Sequence, residues 1–198
     1  MSHYFTDNRN LKQNRREISF RFLGVCYSFI TDNGVFSKDE VDLGSIVLLD
    51  SVCKLPIGSR VLDLGCGYGV IGIVLKSLFG SSNIIGVDTN SRCIDLSKIN
   101  ADKNNVNIEY ILSSGFSNID GTFSSIICNP PIRAGKAVIY QLFEDSYKYL
   151  ETGGYLWIVI RKSHGAQSAK NKLIEIFSNC ELINRDKGFW VLRSKKIG

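Results

Sequence analysis

The chain has 198 residues, 24 Lys and Arg against 19 Asp and Glu for a net charge of +5, and 44% apolar residues. That length suits one domain with an appendage and can bury a core without disulfide or metal staples. No apolar run approaches the ~18 residues of a membrane span, and the modest positive charge permits an anionic partner such as RNA without demanding one.

The first residues, Met1-Ser2-His3-Tyr4-Phe5, lack the basic-then-apolar layout of a signal peptide, so a cytoplasmic protein is expected. Residues 1–16 are polar, carry Arg9, Lys12, Arg15 and Arg16, and read as a basic arm. Residues 17–198 read as one domain, with 17–58 an N-terminal hairpin and helix and 59–198 the core. Alternation of Ile18, Phe20 and Phe22, then Val25, Tyr27 and Phe29, about Leu23-Gly24 predicts a β-hairpin. A loop at 32–38 leads to a helix over 39–54 with Ile46, Leu49, Val52 and Cys53 on its apolar face, ended by Pro56 and Gly58.

From residue 60 strands alternate with helices. Strands are expected near 60–64, 83–88, 107–112, 123–128 and 154–161, and helices near 69–79, 91–104, 135–150 and 166–178. Two closing strands, 180–185 and 188–194, flank a turn at Asp186-Lys187-Gly188. The fold class is therefore α/β: a Rossmann-like, doubly wound, mostly parallel sheet. It ends in a C-terminal antiparallel hairpin strand and carries a small N-terminal β-hairpin and helix extension. Six cysteines (26, 53, 66, 93, 128, 180) show neither CxxC nor metal spacing, so reduced core thiols and no metal are expected.

One segment narrows the chemistry. Val61-Leu-Asp63-Leu-Gly65-Cys66-Gly67-Tyr-Gly69 is an apolar strand running into three alternate glycines, followed by a helical pattern. Glycines let a backbone approach a ligand, and a strand, glycine turn and helix start together form a nucleotide-type pocket. Gly67-x-Gly69-x-x-Gly72 also satisfies the dinucleotide pattern, with Asp88 21 residues beyond Gly67. Three features favour a different ligand. Asp63 stands at the strand's end, where a carboxylate would repel a pyrophosphate but suits an ammonium. Asp88, followed by Thr89, closes the next strand, where it can accept from ribose hydroxyls. No second catalytic domain for a hydride acceptor is expected from these residues. S-adenosylmethionine, with a sulfonium, an ammonium, a ribose and no phosphate, fits best.

A second motif, Asn129-Pro130-Pro131-Ile132, follows the apolar strand that ends at Cys128. Ligands in such sheets bind beyond the carboxyl ends of strands, so Asn129 is expected over the same edge as the glycine loop. Asn129 Oδ1 and the Pro130 carbonyl can both accept hydrogens from one amino group, orienting its nitrogen toward a methyl donor. The prolines fix this backbone. His164 reads as a loop residue. Arg133 and Lys136 after this motif, and Arg161 and Lys162 after the last parallel strand, are expected on the same edge, where they could hold RNA phosphates.

The Asp63-to-Gly69 segment resembles the first motif of class I S-adenosylmethionine-dependent methyltransferases. The resemblance implies that Asp63, Gly65, Cys66, Gly67 and Gly69 hold the methionine part, Asp88 with Thr89 the ribose, and that Asn129 also touches the cofactor. The loop containing Ser114 and Phe116 would flank the adenine, with Ser114 standing where many relatives have an acidic residue. Asn129-Pro130-Pro131 is similar to the tetrapeptide of enzymes that methylate amino groups of adenine, guanine or glutamine. Their fourth residue is usually aromatic; here it is Ile132, so Phe36 or Phe116 is the candidate ring. Gly34-Val-Phe-Ser37 and Asp42-x-Gly44-Ser45 sharpen the resemblance to the catalytic domain of the small-subunit ribosomal RNA (guanine-N2) methyltransferases, over roughly residues 17 to 195. That implies transfer to guanine N2 in ribosomal RNA, with residues 34–45 closing over the cofactor. The residues also leave open another amino-group acceptor (adenine, a protein glutamine, a small molecule) or a module that binds without catalysis.

Overall fold

The computed structural model describes residues 12–198. Arg9 and most of the basic arm lie outside the described residues. Lys12 to Arg15 are exposed and without regular structure, and Arg16 already belongs to the first strand. Strands β1 (Arg16–Phe22) and β2 (Val25–Thr31) pair antiparallel through Leu23 and Gly24, both at positive φ. Two consecutive left-handed residues give the tight turn whose twist matches a hairpin.

The free edge of β2 is closed by a helix. Asn100 of α3 (Ser91–Lys103) and its C-cap Asn104 stand one turn apart. The Ile30 N–H donates to Asn100 Oδ1 (2.6 Å) and Asn100 Nδ2 returns a bond to the Ile30 carbonyl (2.9 Å). Asn104 makes the same exchange with Ser28, at 3.1 and 2.8 Å. Four helical residues rise about 6 Å and two strand residues about 6.6 Å, so the amides substitute for a partner strand. The same Asn100 Nδ2 reaches the Tyr68 carbonyl (2.9 Å), tying the hairpin to the glycine loop.

The expected helix at 39–54 is α1 (Leu43–Val52). It starts later because Asp42 is its N-cap: Oδ2 accepts the Ser45 N–H at 3.0 Å, and a cap residue stands outside the helix. The remaining elements are β3 (Arg60–Leu64), α2 (Val70–Leu78), β4 (Asn83–Asp88), β5 (Glu109–Leu112), β6 (Phe123–Cys128), α4 (Lys136–Tyr149), β7 (Leu150–Arg161), α5 (Ala166–Phe177), β8 (Glu181–Asp186) and β9 (Phe189–Lys195). β7 begins four residues earlier than expected because the chain passes straight from α4 into the strand, with a register shift before Tyr155.

The seven-stranded sheet has the order β5-β4-β3-β6-β7-β9-β8, parallel through β7, with β9 antiparallel to β7 and β8 to β9. This is the α/β architecture expected from the alternation of elements. In β7, Trp157 and Val159 join a core with α1, α2, α3 and the hairpin, while Leu156, Ile158 and Ile160 join one with α4 and α5. A sheet covered on both faces needs such unbroken apolar runs. Cys66, Cys93 and Cys128 are buried, as expected of core thiols. Cys26 is exposed, because its neighbours Tyr27 and Phe29 take alternate inward positions, and Cys53 and Cys180 are half-buried. Among the described residues no helix is long and apolar enough to cross a membrane.

Candidate active site

The winding of the sheet reverses at β3 and β6: the chain runs outward through β4 and β5, then returns to β6 on the other side. Loops at the carboxyl ends of strands diverge at such a switch point and leave a crevice. A cavity of about 860 Å³ occupies it, within the range for a small-molecule site. Its lining includes Gly65, Cys66, Gly67, Asp88, Thr89 and Ser114, along with Asn129, Pro130, Pro131 and Ile132. Phe36, Arg133 and Arg161 complete the set of expected residues that meet there.

The glycine loop is held from two sides. Asp88 Oδ2 accepts the Gly67 N–H at 2.9 Å and Oδ1 accepts that of Asn90 at 2.9 Å. Burial pushes the Asp88 carboxyl up, while the N–H groups of Asn90, Gly67 and Thr89 pull it back. With three of its roughly four acceptor sites used, the carboxylate can still accept from a further donor. Gly65, at φ +76°, has open space where a side chain would stand.

Asp63 differs from its expected position. It is 1% exposed and lies behind the loop, outside the cavity lining, with Oδ2 accepting the Gly72 N–H at 2.8 Å. Its Oδ1 is buried with no partner among the described residues. Burial raises its pKa to about 7; the Gly72 N–H opposes this, and the charge of Asp88 adds to it.

Two further expectations, for Gly69 and Phe116, are corrected. Gly69 caps α2 at φ +97° and faces the core: an added Cβ would lie 2.9 Å from Tyr110 Oη and 3.0 Å from Ile73 Cδ1. It is glycine for packing. Phe116 is buried against α4 and stacks on Tyr149 with centroids 4.6 Å apart, so it offers no ring to a ligand. Lys136 and Lys162 lie on the expected edge of the sheet, exposed beyond the lining. Phe36 remains as a ring at the site, 49% exposed.

Segment 34–42 forms one wall and is pinned to the cofactor side. Asn90 Nδ2 donates to the Gly34 carbonyl (3.2 Å) and Tyr68 Oη to the Ser37 carbonyl (3.2 Å). Behind it, Thr31 Oγ1 donates to the Lys38 carbonyl, and the buried Arg92 binds Asp32 at 3.2 Å and the Asn33 carbonyl at 2.9 Å. Asn129, at the end of β6, meets the end of this segment. Its Nδ2 donates to Asp42 Oδ2 (2.9 Å) and to Ser45 Oγ (3.0 Å).

The lining also includes Asp42, Ser45 and His164, none of them expected as a site residue by itself, and Tyr68 and Phe189, for which the residues alone raised no expectation. Asp42 and Ser45 belong to a motif that carried the resemblance, so a signal for them existed. His164 sits in a short turn after β7, and nothing in its sequence context distinguishes it. Phe189 lies under the Arg161 guanidinium, 4.7 Å from ring centroid to Cζ.

On the side of the glycine loop, from Leu64 to Ile71 and from Val87 to Thr89, the lining holds a carboxylate and no cation. That suits a cationic donor carrying a ribose, from whose hydroxyls Asp88 can accept. A family model for the methyltransferase small domain matches residues 26–193. The chain belongs to the methyltransferase small-domain family. Its methyl donor is S-adenosylmethionine, and Asp88, Thr89 and Gly65 to Gly67 line the cavity.

The chain is 43% identical over 198 residues to the uncharacterized protein YbxB of Bacillus subtilis, covering 98% of each. It is 31% identical to the ribosomal RNA large subunit methyltransferase G of Psychromonas ingrahamii, over 82% of this chain and 44% of that one. For the ribosomal RNA small subunit methyltransferase C of Shewanella amazonensis the identity is 30%, over 82% and 48%. The T. thermophilus 16S rRNA N2 G1207 methyltransferase (RsmC), solved with AdoMet and guanosine, superposes with a TM-score of 0.83 at 25% identity, over 92% of this chain and 50% of that one. The chain thus spans about half the length of these ribosomal RNA methyltransferases.

Proposed function

We propose that this small-domain methyltransferase transfers a methyl group to the exocyclic N2 of a guanine in small-subunit ribosomal RNA. The observation that carries the reading is the facing of Asn129-Pro130-Pro131 and the glycine loop across one cavity. The bound donor supplies an electrophilic methyl group on a cationic sulfur. The protein's part is to hold the acceptor nitrogen against it. Asn129 Oδ1 and the Pro130 carbonyl accept the two amino hydrogens, favour a pyramidal nitrogen and stabilise the positive charge that develops there.

The two lining thiols argue against attack by a cysteine nucleophile. Burial pushes the Cys66 thiol well up, as do the charges of Asp63 and Asp88, and burial raises Cys128 likewise. Both are neutral, and the thiolate is the nucleophilic form. The choice of guanine is supported by the TM-score of 0.83 to the N2 G1207 enzyme and by the Phe36 and Asp42-to-Ser45 motifs. The choice of RNA is supported by Arg133, Arg161 and His164 in the lining and by Lys136 and Lys162 beyond it. Ribosomal RNA as substrate carries with it a cytoplasmic location.

Labelled methyl transfer to bulk RNA, followed by nucleoside analysis, tests this directly. Label in N2-methylguanosine is the expected result. Label in methyladenosine or in protein would move the acceptor to another amino group, and donor binding without transfer would leave a non-catalytic module. Reversing the charge of Arg133, Lys136 and Lys162 together is expected to weaken RNA binding by at least about tenfold at moderate salt while sparing donor affinity. Unchanged RNA binding in a filter assay would remove this edge as the RNA contact.

A further inference from the structure

We propose that Asp42 and Ser45 are positioning residues that lock the side-chain amide of Asn129 in one of its two orientations, so that its oxygen and not its nitrogen meets the acceptor. This rests on the amino-group reading above. An asparagine amide is nearly symmetric in shape, and rotation by half a turn exchanges an acceptor for two donors. With the nitrogen toward the cavity, Asn129 would oppose N–H to N–H against an amino group, and catalysis would fail without any change of fold.

The structure removes that freedom. Nδ2 has two hydrogens, and both are used: Asp42 Oδ2 takes one at 2.9 Å and Ser45 Oγ the other at 3.0 Å. A carboxylate can only accept, so it fixes the nitrogen on its own side. Oδ1 has no hydrogen-bond partner among the described residues. Charge assistance from Asp42 also makes the bond stronger than one to a neutral acceptor.

The surrounding motif is built to keep these two acceptors in place. Asp42 Oδ2 is simultaneously held by the Ser45 N–H as the α1 N-cap, and Ser45 Oγ lies 3.5 Å from the same oxygen. Gly44 leaves no room for a side chain: an added Cβ would be 2.9 Å from Asp42 Oδ2 and 3.0 Å from Phe189 Cε1. Asp42, Gly44 and Ser45 therefore each have a reason to be what they are, and the three converge on Asn129. The wall formed by segment 34–42 ends at this lock, 87 residues before Asn129 in the chain.

Serine and asparagine cap helices about as well as aspartate, so variants at Asp42 can separate the lock from the cap. Asp42→Ser keeps the cap, but its hydroxyl is too short for Asn129. Asp42→Asn keeps an acceptor of the same reach. The expected result is a fall in kcat of about 10- to 100-fold for Asp42→Ser, with donor affinity and thermal midpoint close to wild type. Asp42→Asn should recover most of that loss, and Ser45→Ala should show a smaller loss of the same kind. In the ligand-free protein, the Asn129 side-chain NH2 should give a shifted pair of NMR signals protected from hydrogen exchange, and Asp42→Ser should abolish the protection. Wild-type kcat in Asp42→Ser, or an unprotected amide in the wild type, would overturn the proposal. Equal losses in Asp42→Ser and Asp42→Asn would overturn it too, because they would mean that the carboxylate charge acts on substrate directly. If wild-type protein protects the amide yet methylates no amino group, the lock stands and the functional reading fails.

Discussion

Replacing Asn129 by alanine is expected to lower methyl transfer about a thousandfold while leaving donor binding within a few-fold of wild type. The magnitude is that of deleting one preorganised partner of a developing charge, roughly 3 to 4 kcal/mol of transition-state stabilisation. The separation of effects follows from geometry. The donor contacts expected of Asp88, Thr89 and the glycine backbone lie at the ends of β3 and β4, whereas Asn129 follows β6 across the switch point. The alanine side chain leaves Asp42 with its Ser45 contact, so the α1 cap survives. Turnover of labelled donor and calorimetric donor binding, measured on the same preparation, check this. A parallel loss of both would place Asn129 in donor binding. A loss of less than tenfold would remove it from the reacting centre.

The Asp63→Asn variant should change how stability depends on pH. Burial raises the Asp63 carboxyl from 3.8 to about 7. An acid with a raised folded pKa keeps its proton in the folded chain when the unfolded chain has already lost it. Stability is therefore fully present below the unfolded value and falls as pH rises through the folded one. A rise of this size corresponds to roughly 4 kcal/mol, lost between about pH 4 and pH 7. Asparagine cannot ionise, so that slope should vanish. Its own cost is a buried amide nitrogen where Oδ1 had no partner, roughly 1 to 3 kcal/mol and independent of pH. The variant is then expected to be the less stable protein near pH 4 and the more stable one at pH 8. Urea unfolding across that range reads the crossing, and parallel stability curves would show that Asp63 is ionised throughout.

What could be read from the residues alone was the part of the site written in contiguous motifs. Glycine turns, a strand-terminal aspartate and Asn129-Pro130-Pro131 each declare themselves within a few positions, because their backbone demands are local. Alternating strand and helix patterns then imply that such motifs gather at the carboxyl edge of one sheet, and they do. Periodicity also found the hairpin, α2 to α5 and the closing antiparallel strands to within a few residues.

Only the tertiary structure decided what those residues touch. Phe116 shows why. A short loop has no periodicity from which to tell a residue facing the ligand from one facing α4, and it took the core side. Asp63 was assigned the right strand end but the wrong depth, since the closeness of the loop to α2 depends on the Gly72 contact. The pairings of Asn129 with Asp42 and Ser45 span 87 and 84 residues. No local rule relates a helix cap to a strand end so far along the chain. They meet because α1 packs across β7 and β9 and brings its first turn to the mouth of the neighbouring strand. The sequence by itself determined which chemical groups this protein has for methyl transfer. Packing decided which way the decisive amide faces, because orientation is set by partners that only folding brings within 3 Å.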